Sequence, residues 1–144
     1  MEILNRKARF NYEIIDTIEC GIVLKGTEIK SIRAGKANIK DSYGIIKNNE
    51  VYILNMHIST YENGGVFNHD ETRTRKLLLH KNQILKLKNK LELDGFTLVP
   101  LKLYFVNGRA KIELGLCRGK KIYDKRESSK KRDIERELKK QYKV

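Results

Sequence analysis

Hydrophobic and β-branched residues cluster in runs along the chain, and the first long run covers residues 12–24. Its many isoleucine and valine residues favour a strand, in which Gly21 would mark a bulge or a bend. The next segment begins near Thr27, which can cap a helix, and ends at Gly35, which can close one. The pattern therefore predicts one long strand followed by a short helix.

The middle of the chain alternates between turn-forming and periodic segments. Two apolar runs within residues 43–54 flank Asn48-Asn49-Glu50, which predicts a hairpin. Residues 61–75 contain glycines and asparagines with little apolar periodicity, which predicts a loop. Apolar residues at helical spacing between positions 84 and 91, set among lysines, predict a helix.

Residues 97–106 and 109–116 are two further strand-like runs, and Asn107-Gly108 between them is a strong hairpin signal. Pro100 lacks a backbone N–H and therefore predicts an edge position or a bulge. Many strands, few helices and mostly local hairpins favour a mainly β fold. We expect residues 1–119 to form a small closed, OB-like antiparallel β-barrel with flanking short helices.

The charge is distributed unevenly between the two halves of the chain. The 144 residues include 31 Lys+Arg and 18 Asp+Glu, a formal net charge of +13. Residues 1–72 hold 9 basic and 10 acidic residues, whereas residues 73–144 hold 22 and 8. Such one-sided charge favours a polyanionic partner, since each phosphate contact releases condensed counterions. A solvated surface is the alternative, and an anionic membrane fits less well because no bulky apolar face accompanies the cations.

Other classes of protein are excluded by simpler features. No apolar run approaches the ~18 residues of a membrane span, and the N-terminus lacks the apolar stretch of a signal peptide. Cys20 and Cys117 lie 97 positions apart without metal-ligand spacing, so both are predicted to fill the core. We therefore expect a protein of the reducing cytoplasm.

No arrangement of residues requires catalysis. His57, His69 and His80 are not spaced like the ligands of a zinc-binding helix, and no Gly-rich phosphate loop is present. Asp70-Glu71 would suit a metal-dependent nuclease, but two adjacent carboxylates are weak evidence for a metal site. We expect no catalytic residues, no metal and no cofactor.

Two basic segments are better candidates for RNA recognition. Residues 72–76, with the sequence TRTRK, alternate hydroxyls with cations, which suits phosphate and ribose contacts or else an ordinary solvated strand end. Residues 120–126 place Tyr123 among four cations, where its ring would stack on an exposed base or close the barrel edge. Residues 120–144 are helix-competent but short, so we expect a basic tail that is largely disordered alone and helical when docked on a partner.

Eight blocks of sequence occur in one order from residue 5 to residue 126. They are NRKAR at 5–9, ECGI at 19–22, GTEIKSIRAGK at 26–36, DSY at 41–43, HI at 57–58, TRTRKLLL at 72–79, GKK at 119–121 and DKR at 124–126. Together these blocks resemble the SmpB family, the SsrA-binding proteins of bacteria.

The resemblance implies an adaptor rather than an enzyme. Members of the family bind the tRNA-like domain of transfer-messenger RNA (tmRNA) and escort it to ribosomes stalled on messages that lack a stop codon. The trapped peptide is then tagged and the ribosome is released. The implied partners are tmRNA, the decoding region and empty mRNA channel of the stalled ribosome, and indirectly elongation factor Tu carrying alanyl-tmRNA. The resemblance implies a functional monomer with no membrane partner.

The resemblance also implies specific residues. The RNA-binding positions fall on Glu19, Arg33, Leu78, His80 and Lys111. Glu19 would accept a hydrogen bond from a base N–H or a 2′-OH, and Lys111 would contact a phosphate. Leu78 would offer an apolar platform to an unstacked base, or else pack in the core.

The tail would enter the decoding region, where a cationic strand fits only when message is absent. The implied residues are Lys120, Lys121, Tyr123, Asp124, Lys125, Arg126, Lys130, Lys131, Arg132 and Arg136. Two rival hypotheses remain at this point. A ribosomal protein or general single-stranded RNA binder would share the charge excess, and a nuclease would use Asp70 and Glu71.

Overall fold

The computed structural model describes residues 2–62, 65, 68–92 and 95–119. The strands in these ranges are β1 (Glu2–Leu4), β2 (Tyr12–Ile22), β3 (Ala37–Asn38), β4 (Tyr43–Lys47), β5 (Glu50–Leu54), β6 (His57–Ile58), β7 (Arg75–Leu78), β8 (Phe96–Val106) and β9 (Arg109–Gly119). The helices are α1 (Arg6–Asn11), α2 (Gly26–Arg33) and α3 (Lys81–Leu91).

The main sheet closes on itself. Its strands follow the order β1-β8-β4-β5-β7-β2-β9, and β9 pairs again with β8. All of these pairings are antiparallel, and β1 shares one edge of β8 with β4. Closure removes the free edges that an open sheet of this size would expose. The prediction of a mainly β, closed antiparallel barrel with short helices is confirmed.

Both predicted hairpins form, each with a two-residue turn. Asn48 and Asn49 have φ of 52° and 59°, and Asn107 and Gly108 have φ of 50° and 78°. Positive φ at both central residues defines the turn type whose twist matches that of paired strands, and asparagine and glycine tolerate it best. Glu50 was expected in the first turn, but it opens β5 instead.

The strand irregularities differ in part from the predicted ones. Pro100 lies at a register shift between β8 and β9, as its missing N–H predicts. The expected irregularity at Gly21 is wrong, because β2 remains in register there and shifts between Ile14 and Asp16 instead. Because β2 is regular at Gly21, Leu78 of β7 and Lys111 of β9 lie directly beside it.

Helix α2 is capped differently from the prediction. Lys25, not Thr27, is the cap residue, and Glu28 Oε1 accepts a hydrogen bond from its backbone N–H at 2.7 Å. The hydroxyl of Thr27 instead pairs with Nδ1 of His69 at 2.9 Å. Thr27 therefore fastens the helix to the segment that precedes β7.

Two apolar clusters hold the barrel together. The larger one fills the interior with side chains such as Ile53, Leu98 and Ile112, all of them 0% exposed. The smaller lies outside the sheet beneath α1 and contains Ala8, Val99, Leu101 and Cys117. Cys20 is also buried, as predicted for both thiols. Among the described residues, no helix has the length and apolar character to cross a membrane.

Helix α1 was not predicted from the sequence. Asn5 caps it, since its Oδ1 accepts from the Ala8 N–H at 3.1 Å. The buried Asn5 amide also donates to the carbonyls of Ile39 and Pro100. These bonds anchor the short helix to the barrel wall, which explains how a six-residue helix is stable here.

Candidate nucleic-acid interface

Four residues lie side by side on neighbouring strands, on the outer surface of the barrel. Gly21 of β2 pairs with Leu78 of β7 on one side and with Lys111 of β9 on the other. Lys111 in turn pairs with Tyr104 of β8. Because side chains alternate between the two faces of a strand, Glu19 lies on the same outer face as Gly21. Closure of the barrel thus assembles one surface from four strands.

Leu78 points away from the core. It is 52% exposed, whereas its neighbour Leu77 is 1% exposed and packs inside the barrel. The side chain lies over Gly21, where an added Cβ would be only 3.2 Å from the Leu78 Cβ. Core packing, one of the two predicted roles for Leu78, is therefore wrong, and the side chain is an exposed apolar platform.

A partner of Glu19 defines where its carboxylate points. The Tyr104 hydroxyl donates to Glu19 Oε2 at 2.6 Å, reaching across the intervening strand β9. Desolvation raises the pKa of the Tyr104 phenol, and the hydrogen bond to Glu19 and its charge raise it further. The phenol therefore remains a donor, and the Glu19 carboxylate keeps further lone pairs with which to accept from a ligand.

These side chains surround one surface depression, which we call the central groove. It has a volume of about 320 Å³, and its lining residues are Glu19, Gly21, Leu78, Leu79, His80, Gln83 and Lys111. Four of the five residues implied for RNA binding thus lie around a single groove. Leu78 and His80 come from one segment, the end of β7 and the start of α3, whereas Glu19 of β2 and Lys111 of β9 are at least 31 positions away from it in sequence.

His80 enters the central groove because it caps helix α3. Its backbone N–H donates to Gln83 Oε1 at 2.9 Å, so the Gln83 side chain folds back over the first turn. His80 itself is exposed. The cap therefore holds an imidazole ring and an amide side by side at the edge of the groove.

Arg33, the fifth implied residue, lies apart from the central groove. Its guanidinium stacks on the Phe105 ring at 4.4 Å from the centroid, and Nη2 donates to the carbonyl of Gly108 at 3.5 Å. A second depression of about 250 Å³, the hairpin groove, is lined by Gly108 at one end and shares Leu78 and Lys111 with the central groove. Arg33 borders this second groove.

One member of the TRTRK motif, Arg75, does not lie on the predicted recognition surface. Arg75 is 0% exposed, and its Nε donates to Glu28 Oε2 at 2.5 Å. Arg73 donates to the same carboxylate twice, at 2.6 and 3.2 Å. Burial alone would raise the pKa of Glu28, but the bonds from Arg73, the Lys25 N–H and Arg75 lower it below the ordinary value. The two arginines clamp α2 to β7, so both a recognition role and a solvated strand end are wrong for Arg75.

The carboxylates considered for a nuclease are both engaged by other groups of the protein. Asp70 Oδ1 accepts from the Thr72 N–H at 3.0 Å. Glu71 Oε1 lies 3.5 Å from His57 Nε2, and its other oxygen accepts from the Thr60 N–H at 3.3 Å. Within the described part of the chain, no three His, Cys, Asp or Glu side chains are grouped so as to hold a metal ion.

The ten implied tail residues, Lys120 to Arg136, lie outside the described residues. Of the groups that the structure does describe, sequence reasoning missed Tyr104 and Gln83. The signal for Tyr104 was present, because a two-residue turn at Asn107-Gly108 fixes the register that places Tyr104 opposite Lys111. Its bond to Glu19 depends on strand β2, which the hairpin alone does not locate.

Comparisons with known proteins agree on one family. The family model described as SmpB protein matches residues 2–144. The chain is 60% identical over 134 residues to an SsrA-binding protein of Acetivibrio thermocellus, with 93% of this chain and 87% of the relative covered. It is 58% identical over 142 residues to one from Staphylococcus aureus strain Newman, with 96% and 92% covered.

A solved structure is similar over almost the same length. It is described as "tmRNA-SmpB: a journey to the center of the bacterial ribosome". The two chains are 49% identical with a TM-score of 0.71, and the match covers 97% of this chain and 99% of the other. Sequence and fold therefore indicate the same family.

Proposed function

Because this chain belongs to the SmpB family, we propose that it binds the tRNA-like domain of tmRNA and brings it to stalled ribosomes for peptide tagging and ribosome rescue. One observation carries the proposal at the level of residues. Three separate parts of the sequence, which contain Glu19, Leu78 with His80, and Lys111, line the same outward-facing groove.

The central groove has the chemistry of a site for unpaired nucleotides. Lys111 supplies a cation for a phosphate, and the exposed face of Leu78 supplies an apolar surface for a base. Glu19, held by Tyr104, accepts from a base N–H or a 2′-OH, and such directed contacts add specificity to the general attraction of positive charge. A groove with these three elements selects a folded RNA shape rather than any polyanion.

Arg33 has a supporting place in this proposal. Its stacking on Phe105 leaves an exposed guanidinium beside the hairpin groove, where it can meet a phosphate of RNA that continues past Lys111. It also holds the β8–β9 turn through the Gly108 carbonyl. Arg33 therefore contributes at the edge of the interface and not at its centre.

We assign the second half of the function to residues 120–144. Their basic residues, beginning at Lys120 and including the Asp124-Lys125-Arg126 block, suit the decoding region and the message channel when message is absent. The protein then acts in the cytoplasm as a monomeric adaptor without a catalytic centre of its own. Elongation factor Tu is an indirect partner of the protein, because it carries the alanyl-tmRNA to which the protein is bound.

A competition titration tests the RNA assignment. Labelled tRNA-like domain, bound to the protein at near-physiological salt, is challenged with excess bulk tRNA and with unstructured RNA of equal length. We expect the complex to resist both competitors. Equal competition by all three RNAs would instead indicate a general RNA-binding barrel.

Single substitutions test the groove. Glu19→Ala and Lys111→Ala should each weaken binding to the tRNA-like domain, whereas Lys47→Ala, at an exposed position that lines neither groove, serves as the control. Unchanged affinity in both groove variants would refute the assignment of contacts.

The tail is tested in the full-length chain. Lys125→Ala/Arg126→Ala should keep RNA affinity close to that of the wild type but abolish peptide tagging in a reconstituted system of stalled ribosomes. Normal tagging by this variant would remove the assigned role of the Asp124-Lys125-Arg126 block.

A further inference from the structure

A third surface depression, the α3 groove, lies between helix α3 and strand β2. It has a volume of about 250 Å³. Its apolar floor includes Ile18, Leu87 and Leu114, and its rim includes Gln83, Lys86 and Lys90. None of the residues implied for RNA binding lines it, so it is not part of the site described above.

The α3 groove continues directly from the central groove. Gln83 lines both depressions, and its position is held by the hydrogen bond from the His80 N–H. The three grooves therefore form one track along the barrel, from Gly108 at one end to Lys90 at the other. A ligand that leaves the central groove on the His80 side enters the α3 groove.

The charge of helix α3 indicates the kind of ligand. Residues 81–91 contain four lysines and no acidic residue. Two of these lysines, Lys86 and Lys90, line the groove, and both are exposed. Asp16 is the acidic residue in its lining, 4.0 Å from the Lys90 ammonium, so the cations outnumber it.

From this juxtaposition we propose that the α3 groove is a second part of the RNA-binding surface, which holds a phosphate-bearing RNA segment that continues out of the central groove. Lys86 and Lys90 contact its phosphates, and the apolar floor receives the face of a base or a sugar. The inference rests on the proposed function, since it extends the same RNA along the same surface.

The chain's own tail fits this groove less well than RNA does. Residues 120–144 contain 11 Lys+Arg and 5 Asp+Glu, so the tail has the same sign of charge as the lysine rim. RNA has the opposite sign and gains from counterion release at each lysine contact. Charge complementarity therefore selects RNA as the occupant.

The helix provides a matched pair of variants for the test. Lys86→Ala/Lys90→Ala removes the two rim cations, and Lys81→Ala/Lys88→Ala removes two exposed cations of the same helix that do not line the groove. Both variants lower the net charge of the protein by the same amount, two units. The full-length proteins are titrated with the labelled tRNA-like domain at several salt concentrations.

We expect the groove variant to lower the slope of log affinity against log salt by about 1.4, which is about 0.7 for each lost contact to unpaired RNA. This corresponds to about 10-fold weaker binding at physiological salt. The control variant should lower affinity only slightly and leave the slope close to that of the wild type.

Equal effects of the two variants would overturn the inference, because general electrostatic attraction would then explain both. Impaired peptide tagging with an unchanged slope would also overturn it and would indicate a protein or ribosomal occupant. The competition titration tests the proposed function separately. That function would be refuted if the wild-type protein did not prefer the tRNA-like domain over bulk tRNA.

Discussion

The buried carboxylate of Glu28 provides the sharpest test of how this fold is held together. It is 0% exposed and accepts four hydrogen bonds, from the Lys25 N–H, from Arg75 and twice from Arg73. Glu28→Gln keeps the size of the side chain but removes its charge and turns one acceptor oxygen into a donor. Arg75, also 0% exposed, would then be a buried cation without its counter-charge.

We expect this substitution to lower the free energy of unfolding by about 3–5 kcal/mol, the usual cost of breaking a buried ion pair from one side. Urea unfolding followed by circular dichroism measures it. Glu50→Gln is the matched control, because it breaks the ion pair of Glu50 with Lys76, the residue next to Arg75 on the solvent side of β7. That pair is partly exposed to solvent, so the control should change stability much less than Glu28→Gln.

The pH dependence gives a second readout of the same group. The folded-state pKa of Glu28 is lowered from its ordinary value of 4.5, so its contribution to stability is complete above that pH. The contribution is lost as the pH falls towards the lowered pKa. The unfolding free energies of the wild type and of Glu28→Gln should therefore converge in acid. A Glu28→Gln protein as stable as Glu50→Gln at pH 7 would refute the assigned clamp.

Three further predictions concern individual side chains. Tyr104→Phe removes the hydroxyl that orients Glu19, and we expect about fivefold weaker binding of the tRNA-like domain in a titration, with no further loss when it is combined with Glu19→Ala. Gly21→Ala places a Cβ 3.2 Å from that of Leu78, so RNA affinity should fall while the thermal melting curve changes little. Burial raises the pKa of the Cys117 thiol to about 11, so it should resist iodoacetamide at pH 8 in the native protein and react after unfolding in urea.

Local physical chemistry explains why the hairpins were predictable. Asn48-Asn49 and Asn107-Gly108 tolerate positive φ, and the apolar alternation around them indicates which residues pair. Pro100 predicted a bulge for an equally local reason. Such features depend on a few neighbouring residues, so a single sequence contains them.

Helix α1 and the role of the TRTRK motif were not predictable in this way. The six residues of α1 have no periodic pattern of their own, and the helix depends on Asn5, whose partners Ile39 and Pro100 are distant in sequence. Arg75 belongs to a run of cations that favours an exposed surface. Only the approach of Glu28 makes its burial possible, because a buried charge requires a counter-charge.

The barrel, its hairpins and the basic second half of the chain were all predictable from the residues alone, and the resemblance to a family implied which residues bind RNA. Tertiary structure decided which of those residues face one another. The register Leu78–Gly21–Lys111–Tyr104 crosses four strands. Leu78 and Gly21 are 57 positions apart in sequence, Gly21 and Lys111 are 90 apart, and only Lys111 and Tyr104 are close, across a hairpin turn. Closure of the barrel aligns these strands because it alone satisfies their backbone hydrogen bonds and buries their inner faces together.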